Sequence, residues 1–343
     1  MSDHLEFGLD TFGDVTFGAD GALLPHALVI RNLIDEAVLA DGLGVDFFGV
    51  GEHHRSDFAV SAPETVLAAI AAKTSRIRLG SAVTVLSSDD PIRFFQRFST
   101  LDALSNGRAE VILGRGSFTE SFPLFGYDLG QYETLFAEKL DLFAALISQK
   151  SVSWQGTIRP ALTNQRVYPP IETGRLKTWI GVGGSPESVV RAARYGLPLM
   201  LAIIGGDPAR FTPYADLYRR AFSQLGEPVQ PLGVHSPGFV AETDEPAREA
   251  FFGDYKRMRD RIGSERGLPP MGRDEFESEV EHGSLYVGSP ETVARKIAGT
   301  VRTLGLSRFQ MKYSAGPLSH EKMLGSIALY GEKVIPLVRD MLA

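Results

Sequence analysis

Two adjacent histidines, His53 and His54, follow Glu52 where the apolar run 47–50 gives way to a polar loop. Imidazole is the side chain that ordinarily titrates nearest neutrality, so this triplet suits proton handling. His53 is the candidate proton carrier, with Glu52 or a backbone group fixing its tautomer and His54 in support. A hydrogen-bonded structural histidine is a second reading of the same residues. Metal ligation is a third, and it requires the strand to have ended, because neighbouring strand residues point to opposite sides. With no second His-rich cluster in the chain, no metal is expected.

Two further stretches suit an anion. The segment GVGGSPESV, residues 181–189, sets Gly183 and Gly184 before a Ser-Pro helix start. Such a start exposes backbone N–H groups and the positive end of the helix dipole. The hydroxyls of Ser185 and Ser188 could donate to phosphate oxygens there, or Ser185 could simply cap the helix. Nearly the same opening, GSPETV, recurs at 288–293. Arg115 stands between Gly114 and Gly116 after the strand-like AEVIL, as either a phosphate clamp or a surface salt bridge. The glycines at 181, 183 and 184 do not complete a dinucleotide fingerprint, and there is no Gly-Lys-Ser/Thr loop.

These residues need a frame that gathers them. Apolar runs at 5–11, 47–51, 77–86, 109–114, 178–183, 199–204, 232–241 and 309–313 read as strands. Helical patterns lie between them, at 28–40, 63–73, 91–104, 131–148, 186–195, 208–225, 246–262 and 290–304, with a last one at 320–342. Strict alternation implies parallel crossovers, and eight repeats predict one α/β domain over 1–343, a TIM-type (β/α)8 barrel. In that fold the loops at the carboxyl ends of the strands carry the chemistry, and all three stretches above fall there. Three segments exceed a minimal connection: 115–130 after strand 4, 150–177 before strand 5, and 263–288 after strand 7. The first is expected to be a lid or pocket wall, because it leaves a strand's carboxyl end. Ser61 with Glu64 predicts a capping box, and Asp90, Ser185 and Ser289 each precede a proline at a helix start. Gly80, Ser81 and Ala82 in strand 3 either admit a flat ligand or serve close packing. Phe12, Phe118, Phe122 and Phe125 are candidate pocket aromatics.

Composition narrows the function. The 343 residues carry a net charge of -7, which disfavours nucleic-acid binding, where a concentrated basic footprint is needed. No cysteine is present, so disulfides, thiolate metal sites and cysteine nucleophiles are excluded. No apolar stretch reaches membrane-spanning length and no basic leader precedes an apolar core, so a cytoplasmic enzyme with no membrane association is expected.

Together, GEHHRSDF from Gly51, IRLGSAVTVL from Ile77, LDALSNGRAEVILGRGS from Leu101 and GVGGSPESV from Gly181 resemble the bacterial-luciferase-like flavin-dependent oxidoreductases. The resemblance spans most of the barrel. It implies reduced FMN at the carboxyl end or, in a related branch, the deazaflavin F420. His53 matches the histidine implicated in flavin chemistry, and Glu52 and His54 its neighbours. Ala82 and Val83 match the site of a non-prolyl cis peptide under the flavin ring. Arg115, Ser185 and Ser188 match phosphate-binding positions. Two departures stand out. The family's luciferases have an acidic residue where this chain has Gly184, and a reactive cysteine where it has Gly114, so aldehyde luminescence is not expected. The implied activity is oxygenation of a small organic substrate by reduced FMN and O2. F420-dependent hydride transfer and a noncatalytic flavin-binding barrel are the alternatives. A separate flavin reductase and a homodimer are the implied partners.

Overall fold

All eight apolar runs form strands, and the strands close into a parallel ring surrounded by helices. The computed structural model describes residues 5–171 and 174–343. The barrel strands are β1 (Glu6–Thr11), β2 (Phe47–Val50), β3 (Arg78–Ser81), β4 (Ala109–Gly114), β5 (Lys177–Val182), β6 (Leu199–Ala202), β7 (Leu232–Val240) and β8 (Arg308–Lys312). Each pairs in parallel with the next, and β8 returns to β1 with Glu6 opposite Arg308, which leaves the ring without an edge. The fold is thus the expected TIM-type barrel.

The larger apolar core lies between strands and helices, while a small inner cluster of Phe47, Ile112, Trp179 and Met200 fills the barrel. Phe47 accounts for the glycines beside it. A Cβ at Gly80 would stand 2.8 Å from the Phe47 ring, and one at Gly49 2.9 Å from it. Gly80 therefore serves close packing. Ser81 does too, because its hydroxyl bonds the Ile112 backbone across the sheet.

Several helix starts follow the sequence. Asp90 accepts from the N–H groups of Ile92 and Arg93, Ser185 from Ser188, and Ser289 from Thr292. The box at Ser61 does not form. Ala62 occupies the cap position of the Pro63–Ala71 helix, and Glu64 instead accepts from Arg97 Nε at 3.1 Å. The last helix is interrupted: His320–Leu329 passes through a wide π turn, Tyr330–Val334, into Ile335–Leu342. Pro336, which has no N–H to donate, stands just beyond that turn.

The three insertions are structured. Residues 115–130 contain the short helix Ser121–Phe125, and Val152–Trp154 pairs antiparallel with Leu162–Gln165 in 150–177, of which 172 and 173 lie outside the described residues. In 263–288, the helix Arg273–Glu281 leads to Tyr286–Gly288, an unpredicted strand that pairs with the end of β7.

Candidate active site

At the carboxyl ends of the strands lies a cavity of about 810 Å³, and all eleven site residues expected from sequence line it: Glu52, His53, His54, Ala82, Val83, Gly114, Arg115, Gly183, Gly184, Ser185 and Ser188. Distant segments converge because the ring places every strand end on one rim.

His53 stands in an aromatic box. Its ring lies 4.6 Å from Phe12, stacks on Phe58 at 4.3 Å and meets the edge of Phe118 at 5.1 Å. Burial in this box pushes the His53 imidazole down to about 3, so the ring is neutral at neutral pH. A neutral ring in this pocket acts as a hydrogen-bonding group. Of the two groups expected to fix His53, Glu52 or a backbone group, Glu52 is engaged elsewhere. Glu52 Oε1 lies 2.9 Å from His54 Nε2, and its other oxygen accepts from Val85 N at 3.1 Å. Glu52 thus ties His54 to the chain just beyond β3. His53 is positioned instead by packing and by its backbone N–H, which donates to Val60 O.

The peptide joining Ala82 to Val83 is cis, at the position the resemblance indicates. Val83 packs closely on the next strand: a Cβ at Gly114 would fall 2.5 Å from Val83 Cγ2. Packing thus accounts for the departure at Gly114.

The anion cradle forms where β4 and β5 end. Arg115 bonds the carboxylate of Glu133, and Arg191, from the Pro186–Arg194 helix, approaches the same carboxylate at 3.6 Å. Arg191 Nη1 is buried without a hydrogen-bond partner among the described residues. Ser185 Oγ caps the helix and donates to Glu187 at 2.9 Å. A Cβ at Gly183 would meet no atom within 4 Å, and Gly184 takes φ +127, so the approach to the helix start is open.

A cluster of charge stands beside the cavity, which Glu120 lines. Arg55, just after the histidines, bonds Glu120 of the 115–130 loop at 2.6 Å and Glu265 of the Asp244–Glu265 helix at 2.6 and 2.9 Å. Its guanidinium lies 4.8 Å from the Phe118 ring. Of the candidate pocket aromatics, Phe12 and Phe118 line the cavity, Phe122 is buried against Tyr132, and Phe125 meets His54 edge-on at 5.1 Å.

The sequence reading missed two groups. Arg191 lies one helical turn beyond Ser188, on the same face, a spacing that could have flagged it. The other is a polar floor: Asp10 on β1, His235 on β7, and Gln310 and Lys312 on β8. Arg308, Gln310 and Lys312 alternate with Phe309 and Met311 along β8, and this period of two marks the inward face. Among the described residues no three His, Asp or Glu side chains gather as metal ligands, and no helix is long and apolar enough to cross a membrane.

Comparison with known proteins agrees with this geometry. A family model described as luciferase-like monooxygenase matches residues 11–308. The alkanal monooxygenase alpha chain of Photobacterium leiognathi is 23% identical over 345 residues, covering 92% of this chain and 95% of that protein. Monooxygenase RslO1 from Streptomyces bottropensis shares the fold with a TM-score of 0.85 at 22% identity, over 97% of this chain and 99% of that one. The oxygenating constituent of 3,6-diketocamphane monooxygenase from Pseudomonas putida, solved with FMN, gives a TM-score of 0.77 at 18% identity, over 97% and 98%.

Proposed function

Because the chain belongs to the luciferase-like monooxygenase family, we propose that it uses reduced FMN and O2 to oxygenate a small organic substrate. The observation that carries this is convergence: a guanidinium, an open helix start, the Ala82–Val83 segment and a boxed histidine line one cavity. Bound reduced flavin would supply the electrons that activate O2 and so permit transfer of one oxygen atom to the substrate.

The residues present fit that cofactor. Arg115 and the first N–H groups of the Pro186–Arg194 helix would hold its phosphate, with Ser185 and Ser188 adding hydroxyls and Gly183 and Gly184 leaving room. Arg115 must then exchange Glu133 for phosphate. Glu133 has a side chain 60% exposed, so water can take it over. Ala82, Val83 and Gly114 line the part of the wall suited to the ring system. Neutral His53 offers one ring N–H as donor and one ring nitrogen as acceptor. The Arg55 latch and Phe118 keep water from the mouth. Glu52 and His54 hold the chain around His53.

A separate flavin reductase as the source of reduced FMN, a homodimeric assembly and a cytoplasmic setting complete the proposal. Anaerobic titration with reduced FMN and reduced F420, followed by admission of O2, tests it. Saturable FMN binding and O2-dependent substrate oxygenation are expected. Selective F420 binding without O2-dependent turnover would replace it by hydride transfer, and FMN binding without turnover would leave a flavin-binding barrel.

A further inference from the structure

We propose that His235 is the base that faces the organic substrate, and that it takes the proton of a hydroxyl carried on a flat, apolar ring, that is, of a phenol. This rests on the monooxygenase reading only in placing an organic substrate in this cavity.

His235 lies midway along β7, in register with Ala202 of β6 and Gln310 of β8. Its Nδ1 is 2.8 Å from Asp10 Oδ2, which also accepts from Gln310 Nε2 at 2.8 Å. Asp10 is 0% exposed and His235 only 8%, so little solvent competes for this contact. A carboxylate at Nδ1 fixes the tautomer: Nδ1 carries the hydrogen, and Nε2 is left with a lone pair. Nε2 makes no hydrogen bond among the described residues, and His235 lines the cavity. A carboxylate, an imidazole and an open nitrogen aimed at a ligand space form the arrangement that general bases use.

The other imidazoles that line the cavity are less suited. Burial among aromatic rings holds His53 at about 3, too weak a base to accept a proton at neutral pH, and His54, whose Nε2 meets Glu52, stands in the loop after β2 against the half-exposed Phe125 ring and not on the barrel floor.

The surroundings indicate the substrate. Phe12, Phe58 and Phe118 line the cavity and give it aromatic walls, Phe12 lying nearly parallel to His235 at 14° and 6.1 Å. Met258, Ile262 and Leu268 line the same cavity. A phenol has one acidic O–H, a flat ring and no other polar group to satisfy. An aliphatic alcohol is too weak an acid for an imidazole to ionise. In the step, the O–H bond breaks with both electrons remaining on oxygen, and the proton passes to Nε2. The imidazolium so formed rests against Asp10, which is a positioning residue acting through His235. Charged neighbours that could imitate this effect are Arg115, Arg259 and Arg266 in the cavity wall and Lys312 on β8, whose ammonium contacts Asp14 at 3.1 Å and Ser314 Oγ at 3.1 Å; the His235→Gln arm of the test separates them from the imidazole.

The test uses 4-nitrophenol and the cofactor-free protein, because the phenolate is read directly by its visible absorption. Saturable binding is expected, with the bound phenol ionising about one pH unit or more below the free one. His235→Gln, which can still donate an amide N–H to Asp10, should abolish the shift. Asp10→Asn should shrink it. In parallel, the ¹⁵N signal of His235 Nε2 in the wild type should change to the protonated form when the phenol binds, a reading that needs no variant to fold. Absence of saturable binding, an unshifted bound phenol, a shift that survives His235→Gln, or an Nε2 that stays unprotonated would each overturn the proposal. Reduced FMN titrated into the same wild-type preparation separates the two ideas: failure there removes the FMN reading and leaves the phenol measurement standing.

Discussion

Arg115 meets a carboxylate before any ligand arrives, since Glu133 bonds it and lies 3.6 Å from Arg191. A phosphate must displace that carboxylate. Arg115→Ala is therefore expected to weaken reduced-FMN binding about 10- to 100-fold, the ~1.5–3 kcal/mol carried by hydrogen bonds to a charged group. Glu133→Gln removes the competing charge and should tighten binding severalfold. Anaerobic fluorescence titration reads both, and equal affinities in all three proteins would place the phosphate elsewhere. His53 makes a prediction of opposite character. Its imidazole sits at about 3 in the folded protein against an ordinary 6.5, so between those values the unfolded chain binds the extra proton. Stability is then intact above pH 6.5 and falls as the pH drops from 6.5 toward 3. His53→Gln lacks this loss, so its deficit in Tm relative to wild type should narrow across that window. Parallel Tm curves would show that the ring is not buried as a neutral group.

At the level of elements, Arg55 adds a charged tie to the loop 115–130, which Tyr132 also holds through Gly116 O at 2.7 Å. Arg55 joins Glu120 in that loop to Glu265 at the end of the Asp244–Glu265 helix, and all three belong to different connections. Arg55→Ala is expected to leave the barrel folded while amide exchange rises in 115–130 and in the turn after Glu265, at a cost of about 1–3 kcal/mol in local opening. Unchanged exchange in both segments would refute the latch. The barrel strands are legible in sequence because each is a short apolar run bounded by polar turns, and the run AEVILG at 109–114 coincides with β4. The eleven expected site residues are legible because strand ends in a barrel share one rim. Other features depend on remote partners. Glu64 looks like half of a local capping box, yet Arg97 claims it from another helix. Tyr286–Gly288 is too short to show a period, and it exists because β7 overruns the ring and offers an edge. His235 has no local signature at all, since the carboxylate that gives it meaning is 225 residues away in sequence.

Over the whole molecule, the two ends of the barrel divide the labour. The carboxyl end is hollow and lined with candidate chemistry, whereas the opposite end is plugged by charge. Arg308 is 0% exposed, its guanidinium 4.5 Å from the Trp179 ring and 4.7 Å from that of Phe47, and it bonds both Glu6 and Glu110. Lys177 reaches Glu6 at 3.0 Å and Glu110 at 3.7 Å, and Arg78 reaches Glu110 at 3.0 Å. Burial alone would raise the Glu110 carboxyl, but Arg308, with Lys177 and Arg78, holds it at about 2. Three cations share that carboxylate, and Arg308 among them is fully buried, so Glu110→Gln leaves the buried guanidinium under-compensated and should cost about 3–5 kcal/mol at pH 7. Because the folded value lies below the ordinary 4.5, the carboxylate's contribution is complete above pH 4.5 and is lost as the pH falls through about 2. The deficit of Glu110→Gln in urea midpoint should accordingly be large at pH 7 and smaller at pH 3. A deficit that is the same at both would mean that the carboxyl titrates as it does in the unfolded chain. Reduced-FMN affinity should stay within about twofold of wild type, since stability is set at this end and ligand contacts at the other; a large loss would show that the plug also shapes the distant cavity.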